Sequence, residues 1–181
     1  SDGSGLVSIV NISTRDFGNL NLLLSRGLLS DNAGAVSLFA SDSSALEARV
    51  LHTTITNNLE KNFGSISPGL DLGTLAESQP AFVHVDLINS IVRDNIIEGF
   101  TGDIRIFRNA TLLATYSNVG EIEAFPADKY SAGDSVINAD PLFVQPDSGH
   151  YALMAGSPSI DTGIAIGMSF LGDAPDMGKF E

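Results

Sequence analysis

The chain has 181 residues, of which 22 are acidic and 9 basic, and its formal net charge at pH 7 is −13. This length suits one domain rather than two, and the charge disfavours a protein that binds DNA or RNA by neutralising phosphates. Hydrophobic residues make up 43 % of the chain, which excludes a disordered acidic tail, yet no apolar stretch reaches the roughly 18 residues of a membrane span. The absence of cysteine excludes disulfide bonds, thiolate nucleophiles and cysteine-ligated zinc.

Internal repeats run through the first half of the sequence. The segments that end in RGLLSDN (26–32), TTITNN (53–58) and SIVRDN (90–95) align on their final asparagines. Each segment alternates apolar and other residues, as a half-buried strand does, and in all three the alternation then shifts by one residue. This shared shift predicts two strands that meet at a sharp bend. The aligned apolar sets are Leu20, Leu46 and Val83, then Leu22, Ala48 and Val85, then Leu24, Val50 and Leu87, and, after the shift, Leu29, Ile55 and Val92.

A second, shorter repeat lies between the long ones. It is an apolar-x-apolar pattern in Val10-x-Ile12, Val36-x-Leu38, Leu70-x-Leu72 and Ile104-x-Ile106. The chain thus alternates a short strand with a long bent strand, and one such coil cannot bury its inner face alone. We predict an all-β parallel β-helix of about four coils in residues 1–119, with a C-terminal capping segment in residues 120–181 of the same domain. A β-sandwich would also give short strands, but not one register shared by all copies.

The turns between these strands carry their own signals. Asn32, Asn58 and Asn95 recur at the matching position of each long repeat. An asparagine amide both donates and accepts hydrogen bonds, and the residue tolerates a left-handed backbone, so the three predict a hydrogen-bonded ladder from coil to coil. The stretches 65–69 and 77–80 are rich in Ser, Pro, Gly and polar residues, and we expect them to be looped-out turns.

The last part of the chain contains motifs that resemble a known group of proteins. The run NADPLFVQPDSGHYALMAGSPSIDTG (138–163) is followed by GDAPDMGKFE (172–181). Together they resemble the C-terminal end of bacterial right-handed parallel β-helix proteins. That group includes polysaccharide lyases, glycan-active hydrolases and surface adhesins that catalyse nothing. The resemblance implies a right-handed parallel β-helix with a C-terminal cap, in an extracellular or cell-surface protein.

Two features of this C-terminal part predict local structure. Asp161 and Asp176 each precede a glycine by two residues, which is typical of a carboxylate that accepts backbone N–H groups in a turn. Several apolar side chains would fold back over the open end of the coil stack, since an uncovered last coil exposes a strand edge and the core. They are Phe143, Tyr151, Leu153, Ile160, Phe170 and Phe180.

Stacking would bring polar side chains of adjacent coils together on the outer face of the long strands. In the overlay Glu47 matches His84, Arg49 matches Asp86, and His52 follows the bend. A carboxylate and an imidazole on a rigid sheet can perform general acid–base catalysis. The candidate catalytic residues are therefore Glu47, His52, His84 and Asp86. We favour the alternative, a solvated ladder of opposite charges without a catalytic role.

Four arginines are the candidate ligand-binding residues: Arg49, Arg93, Arg105 and Arg108. As cations they suit an acidic sugar, which a lyase of the resembled group would act on. A hydrolase would instead need two carboxyl groups about 5 to 10 Å apart, for which the outer face offers Glu47 and Asp86. The many carboxylates keep calcium as a candidate ion, but the sequence has no calcium-binding loop signature. We assign no metal-binding residue and no cofactor.

Two functions are consistent with these expectations. The first is a noncatalytic extracellular β-helix module that binds glycan or serves as a surface scaffold. The second is a polysaccharide-active enzyme, a lyase or hydrolase on an acidic polymer, or the C-terminal fragment of one. We expect the first, because the repeated outward rows contain no aromatic rings on which sugars could stack. We also expect the first coil to be covered by another chain or an upstream segment, since the sequence offers no N-terminal cap.

Overall fold

The computed structural model describes residues 10–15, 18–60, 69–74, 81–97, 100–126 and 129–180. In these residues nearly all regular structure is β-strand, and three large sheets, which we name A, B and C, consist of parallel strands stacked coil upon coil. The strands of each sheet are taken in turn from successive coils. The predicted parallel β-helix is therefore confirmed, while its right-handed sense stays a prediction.

The three large sheets contain 14 of the strands in the described residues. Sheet A consists of β1 (Val10–Thr14), β4 (Val36–Ala40), β8 (Leu70–Thr74), β13 (Ile104–Phe107) and β16 (Ile122–Phe125). Sheet B consists of β2 (Asn19–Ser25), β5 (Ala45–Leu51), β9 (Phe82–Ile88), β14 (Ala110–Thr115) and β17 (Tyr130–Ala132). Sheet C consists of β3 (Leu28–Ser30), β6 (Thr54–Thr56), β10 (Ile91–Arg93) and β15 (Asn118–Val119).

Two small sheets complete the described strands. One joins β7 (Leu59–Glu60), β11 (Ile96–Ile97) and β12 (Phe100–Thr101). The other is an antiparallel hairpin of β18 (Phe143–Gln145) and β19 (His150–Leu153), connected by the 3₁₀ turn Pro146–Ser148. This hairpin belongs to the C-terminal segment, a name that we use below for residues 138–180.

The register between coils is the one that the repeats predict. In sheet B, Leu46 pairs with Leu20 on one side and with Val83 on the other. In sheet A, Leu70 pairs with Ile104. Both repeats are thus confirmed residue by residue, and side chains at equivalent positions lie one above another along the stack.

The inner positions of the three large sheets form one apolar core. Strand β9 illustrates the alternation, because its buried residues are Val83, Val85 and Leu87 while their neighbours are at least partly exposed. Such burial is the main stabilising contribution in a solenoid, because each coil covers the apolar face of the next. The largest fully buried core side chains are Leu38, Leu46, Ile55, Leu70, Leu72, Leu87, Ile104, Ile106 and Leu112.

Sheets B and C meet at the predicted bend, where four successive coils use a left-handed residue. Arg26, His52, Asn89 and Tyr116 have φ angles of 53°, 44°, 50° and 47°. Non-glycine residues adopt this conformation only at a cost in free energy. Because it recurs at the matching position of four coils, we infer that the stacking of the coils maintains the bend. The bend also explains the shift of the alternation by one residue, because it changes which side chains point inward.

Asn32, Asn58 and Asn95 form the predicted ladder. The Nδ2 atom of Asn32 donates to Oδ1 of Asn58 over 3.1 Å, and Nδ2 of Asn58 donates to Oδ1 of Asn95 over 2.8 Å. The ladder ends on Asp103, whose Oδ1 accepts from the backbone N–H and the Nδ2 of Asn95. Its Oδ2 accepts from the backbone N–H of Glu121. Burial raises the pKa of the Asp103 carboxyl above its ordinary value, although these donors act in the opposite direction.

Parallel pairing continues beyond residue 119, where we had predicted that the coils end. Ile122 pairs with Ile104, and Tyr130 pairs with Leu112, so β16 and β17 add part of a fifth coil. The apolar alternation of the earlier repeats is weak in this short coil, which is why the sequence overlay missed it. The predicted loops at 65–69 and 77–80 lie outside the described residues except for Gly69.

The first coil is less enclosed than the second. Leu20, Leu22 and Leu24 in β2 are half-buried, whereas Leu46 and Val50 in β5 are fully buried. Residues 1–9 lie outside the described residues, so a cover of the first coil by another chain or an upstream segment stays a prediction.

The C-terminal segment packs against the side of the stack, on the outer face of sheet C. Phe143, Tyr151 and Met177 form a second apolar cluster with the outward side chain of Ile91. Leu28, Ile137, Leu153 and Phe180 pack against this cluster. Phe143, Tyr151, Leu153 and Phe180, four of the six side chains predicted to cover the open end of the stack, thus lie in this lateral cluster. Two strands of sheet C carry an apolar residue on the outer face, Leu28 and Ile91, and these side chains need their own cover.

Asp161 and Asp176 accept backbone N–H groups, as predicted, but from residues 12 to 15 positions away rather than within their own turns. Oδ1 of Asp161 accepts from the backbone N–H of Asp173 over 2.9 Å and of Ala174 over 3.2 Å. Oδ1 of Asp176 accepts from the N–H of Asp161 over 2.8 Å. The two carboxylates thus organise irregular backbone that has no sheet to pair with.

Candidate functional site

The outer face of sheet B brings together four of the five residues predicted to lie there. Glu47 pairs in register with His84, and Arg49 pairs with Asp86. Because successive residues of a strand point to opposite faces, all four side chains lie on the outer face, and none of them is fully buried. We call Glu47, Arg49, His84 and Asp86 the polar group of sheet B.

His84 lies at the centre of a hydrogen-bonded chain of side chains. Its Nε2 atom is 3.3 Å from Oδ1 of Asp86, two residues along the same strand. Its Nδ1 atom is 2.9 Å from Oγ1 of Thr111, which pairs with His84 from strand β14. The imidazole is therefore fixed from both sides. Sequence reasoning missed Thr111 because the fourth copy of the long repeat was not aligned with the first three.

A shallow depression of about 280 Å³ lies beside His84 and Asp86. It is open to solvent and has a mixed lining. The polar residues are Asn21, Glu47, Arg49, His84 and Asp86, and the apolar ones are Leu22, Leu23 and Ala48. A depression of this size accommodates a small group rather than a large ligand.

His52 is not part of the polar group of sheet B. It sits at the bend, its exposed fraction is 3 %, and its Nε2 atom is 3.0 Å from Nδ2 of Asn89. Asn89 in turn bonds both the N–H and the carbonyl of Ile164, so the C-terminal segment covers this corner. The prediction that His52 faces solvent beside His84 is wrong. Its position in the aligned repeats is correct, but the repeat pattern does not encode contacts with a segment more than 100 residues away.

The four candidate arginines do not gather at one place. Arg49 belongs to sheet B, while Arg93 lies on β10 and bonds the side chains of Asn118 and Asn138. Arg105 and Arg108 lie at sheet A. No single cationic site therefore unites the predicted ligand-binding residues.

The outer face of sheet A carries an aromatic row: Phe39, Phe107 and Phe125. Phe107 pairs in register with Phe125, and Phe39 pairs with Gly73 of the intervening coil. The ring of Phe107 lies over Gly73, where a Cβ atom would come within 2.6 Å of it. The centroids of Phe107 and Phe39 are 5.6 Å apart. Phe125 is the most accessible of the row, with 61 % of its surface exposed.

Two arginines flank the aromatic row. Arg105 forms a two-pronged ion pair with the fully buried Asp71, with N···O distances of 3.3 and 3.2 Å. Its Cζ atom is 5.7 Å from the centroid of Phe107, and that of Arg108 is 5.9 Å away. Both distances fall in the range of cation–π contacts.

The aromatic row corrects a sequence-based expectation. The expectation of outward rows without aromatic rings concerned the long strands, and it overlooked the outward positions of the short strands in sheet A. The overlay had followed only the inward positions of the short strands, such as Leu38 and Ile106. The residue after each of these is a phenylalanine, so the signal was present one position further along.

The described residues contain no cluster of three or more His, Asp or Glu side chains that could hold a metal ion. Within the same residues, no helix has the length and apolar character needed to cross a membrane. Comparison of the chain with protein-family models, curated proteins and solved structures gave no match. The parallel β-helix therefore rests on strand pairing, and membership of the group that the C-terminal motifs resemble stays a prediction.

Proposed function

We propose that the protein is an extracellular or cell-surface β-helix module that binds glycan through the aromatic row of sheet A. The observation that carries the proposal is the alignment of Phe39, Phe107 and Phe125 on one outward row, with Phe125 largely exposed. A flat ring offers a large contact area at a small entropy cost, which suits the apolar face of a sugar ring. The bacterial β-helix group that the C-terminal motifs resemble supports the same ligand class.

The middle of the row is held in place before any ligand binds. Phe107 is held between Phe39 and the two arginines, and the backbone of Gly73 supports its ring from below. Arg105 is held by the buried Asp71. A surface that is already ordered loses little side-chain entropy on binding.

The charges beside the row favour a neutral glycan over an anionic one. Arg105 has Asp71 and Glu123 as its register neighbours on the two adjacent strands. Its positive charge is therefore balanced locally, and the chain as a whole is strongly acidic. An anionic polymer would gain little from Arg105 and would be repelled by the overall charge.

Binding to a panel of neutral and anionic polysaccharides, measured by affinity electrophoresis and calorimetry, tests this proposal. We expect Phe125→Ala to weaken binding of a neutral polysaccharide about tenfold or more, the loss typical of an anchoring aromatic side chain. Phe82→Ala is the matched control, because Phe82 is also an exposed phenylalanine, with 41 % of its surface accessible, but lies on sheet B.

Equal loss of binding in both variants would contradict a surface centred on sheet A. Binding only to anionic polymers would contradict the assignment to neutral glycan. If no polysaccharide in the panel binds, the protein is better described as a surface scaffold. A polysaccharide-active enzyme is the second candidate, and the hydrogen-bonded chain of side chains around His84 is the observation that favours it.

A further inference from the structure

The side chains of Thr111, His84 and Asp86 are hydrogen-bonded in series. They are connected as a nucleophile, a base and an orienting carboxylate are connected in a hydrolytic triad. Thr111 and His84 come from adjacent coils, and Asp86 follows His84 on the same strand. Glycan binding on sheet A gives these three residues no role. Hydrolytic triads are recognised by such geometry and roles rather than by chain order.

The partners of His84 determine which ring nitrogen carries the proton. A carboxylate only accepts hydrogen bonds, so Nε2 must donate its proton to Asp86. Nδ1 is then left with a lone pair, 2.9 Å from the hydroxyl of Thr111. In this tautomer the imidazole is ready to take the Thr111 proton, which is the requirement for a general base.

We propose that Thr111, His84 and Asp86 form a catalytic site that hydrolyses short acyl esters on sugars. The Thr111 oxygen attacks the ester carbonyl carbon while its proton moves to Nδ1 of His84. The C–O bond to the sugar then breaks, and His84 gives this proton to the departing sugar oxygen. Water cleaves the resulting acyl–Thr111 ester by the reverse proton route, which releases the carboxylic acid and restores the threonine.

The surroundings of Thr111 fit this substrate class. The depression beside His84 is small and open, and Asn21, Glu47 and Arg49 are among the residues that line it. These side chains can bond sugar hydroxyls, and the small volume suits a short acyl group.

Hydrolysis of p-nitrophenyl acetate and of an acetylated polysaccharide by the full chain tests the proposal. We expect Thr111→Val to lower kcat/KM at least a hundredfold, Thr111→Ser to retain activity, and Asp86→Asn to lower kcat more than it raises KM. Thr115→Val is the matched control, because Thr115 lies on the same face of β14 outside the chain of hydrogen bonds, and it should leave the rate unchanged. Intact-mass analysis of a rapidly quenched reaction should detect an acetyl group on Thr111.

Hydrolysis that is equal in the wild type, Thr111→Val and Thr115→Val would overturn the proposal, as would a well-folded wild type without ester hydrolysis. Glycan binding is assigned to sheet A and ester hydrolysis to sheet B. A wild type that binds polysaccharide without hydrolysing esters, or the reverse, would therefore overturn one proposal without the other.

Discussion

The coil stack and the C-terminal segment are held by different kinds of contact. In the stack, each strand pairs with the next coil and buries its inner side chains in one continuous core. The C-terminal segment pairs with itself in the β18–β19 hairpin and touches the stack through separate points. Tyr151 bonds Asp31 and Asn57, next to the first two coils, and the N–H of Gly178 bonds the carbonyl of Asn89 in the third.

Further contacts extend this bracing to the fourth coil. Asn118 donates to the carbonyl of Ala139 and to the hydroxyl of Ser159. In a solenoid whose coils contact only their neighbours, stability accumulates coil by coil. A segment that bonds four coils at once couples non-neighbouring coils, so the difference between the two regions predicts different responses to mutation.

Truncation of core side chains should separate the two regions most clearly. Ile106 is fully buried in the stack, and Met177 is 1 % exposed in the second apolar cluster, which joins the C-terminal segment to sheet C. We expect Ile106→Ala to lower the free energy of unfolding by about 4 kcal/mol and Met177→Ala by about 2 kcal/mol, because the smaller cluster can collapse into the space left behind. Urea unfolding followed by circular dichroism measures both. Equal losses would mean that the segment is as tightly integrated as the core.

The asparagine ladder predicts an intermediate effect within the stack. Asn58→Ala removes donors to the carbonyl of Leu29 and to Asn95, and it removes the acceptor of Asn32. Leaving such buried groups unsatisfied should cost about 2 to 3 kcal/mol. The exposed Asn21→Ala on β2 is the control and should change stability by less than about 0.5 kcal/mol. A similar loss of stability in both variants would show that the ladder does not stabilise the stack.

The smallest expected effect belongs to an anchor of the C-terminal segment. Burial raises the pKa of the Tyr151 hydroxyl, which keeps it protonated as a donor to Asp31. Tyr151→Phe should lower stability by about 1 to 2 kcal/mol, at the low end for a hydrogen bond to a charged group, because Asp31 is exposed to solvent. Hydrogen exchange should increase in the C-terminal segment and near Asp31 while the core of sheet B stays protected. Unchanged exchange near Asp31 would exclude the bracing role.

Repetition decides which of these features the sequence could predict. The pairing of Leu46 with Val83 and the ladder through Asn58 follow from matched positions, because stacked coils impose the same environment on equivalent residues. The burial of His52 depends on contact with Ile164, which no repeat encodes. Thr111 lies in a copy whose alignment is weaker, and the aromatic row is interrupted by Gly73. Long-range lateral packing and interrupted rows are therefore the parts that pattern reasoning misses.

The carboxylate at the end of the asparagine ladder gives the stack a direction and a terminus. Each asparagine of the ladder donates one amide hydrogen to the matching side chain nearer the C-terminus, and Asn58 and Asn95 donate the other to a carbonyl of the preceding coil. Asp103 accepts from Asn95 at the end of the ladder and has no hydrogen to donate. A duplicated coil that carries its own asparagine could be inserted anywhere before Asp103 with all donors and acceptors still matched. In a coil inserted beyond Asp103, the amide oxygen of the asparagine would find no donor, because a carboxylate only accepts hydrogen bonds. Coils that carry this asparagine can therefore be added only on the N-terminal side of Asp103, and this single acidic side chain marks the limit of such extension.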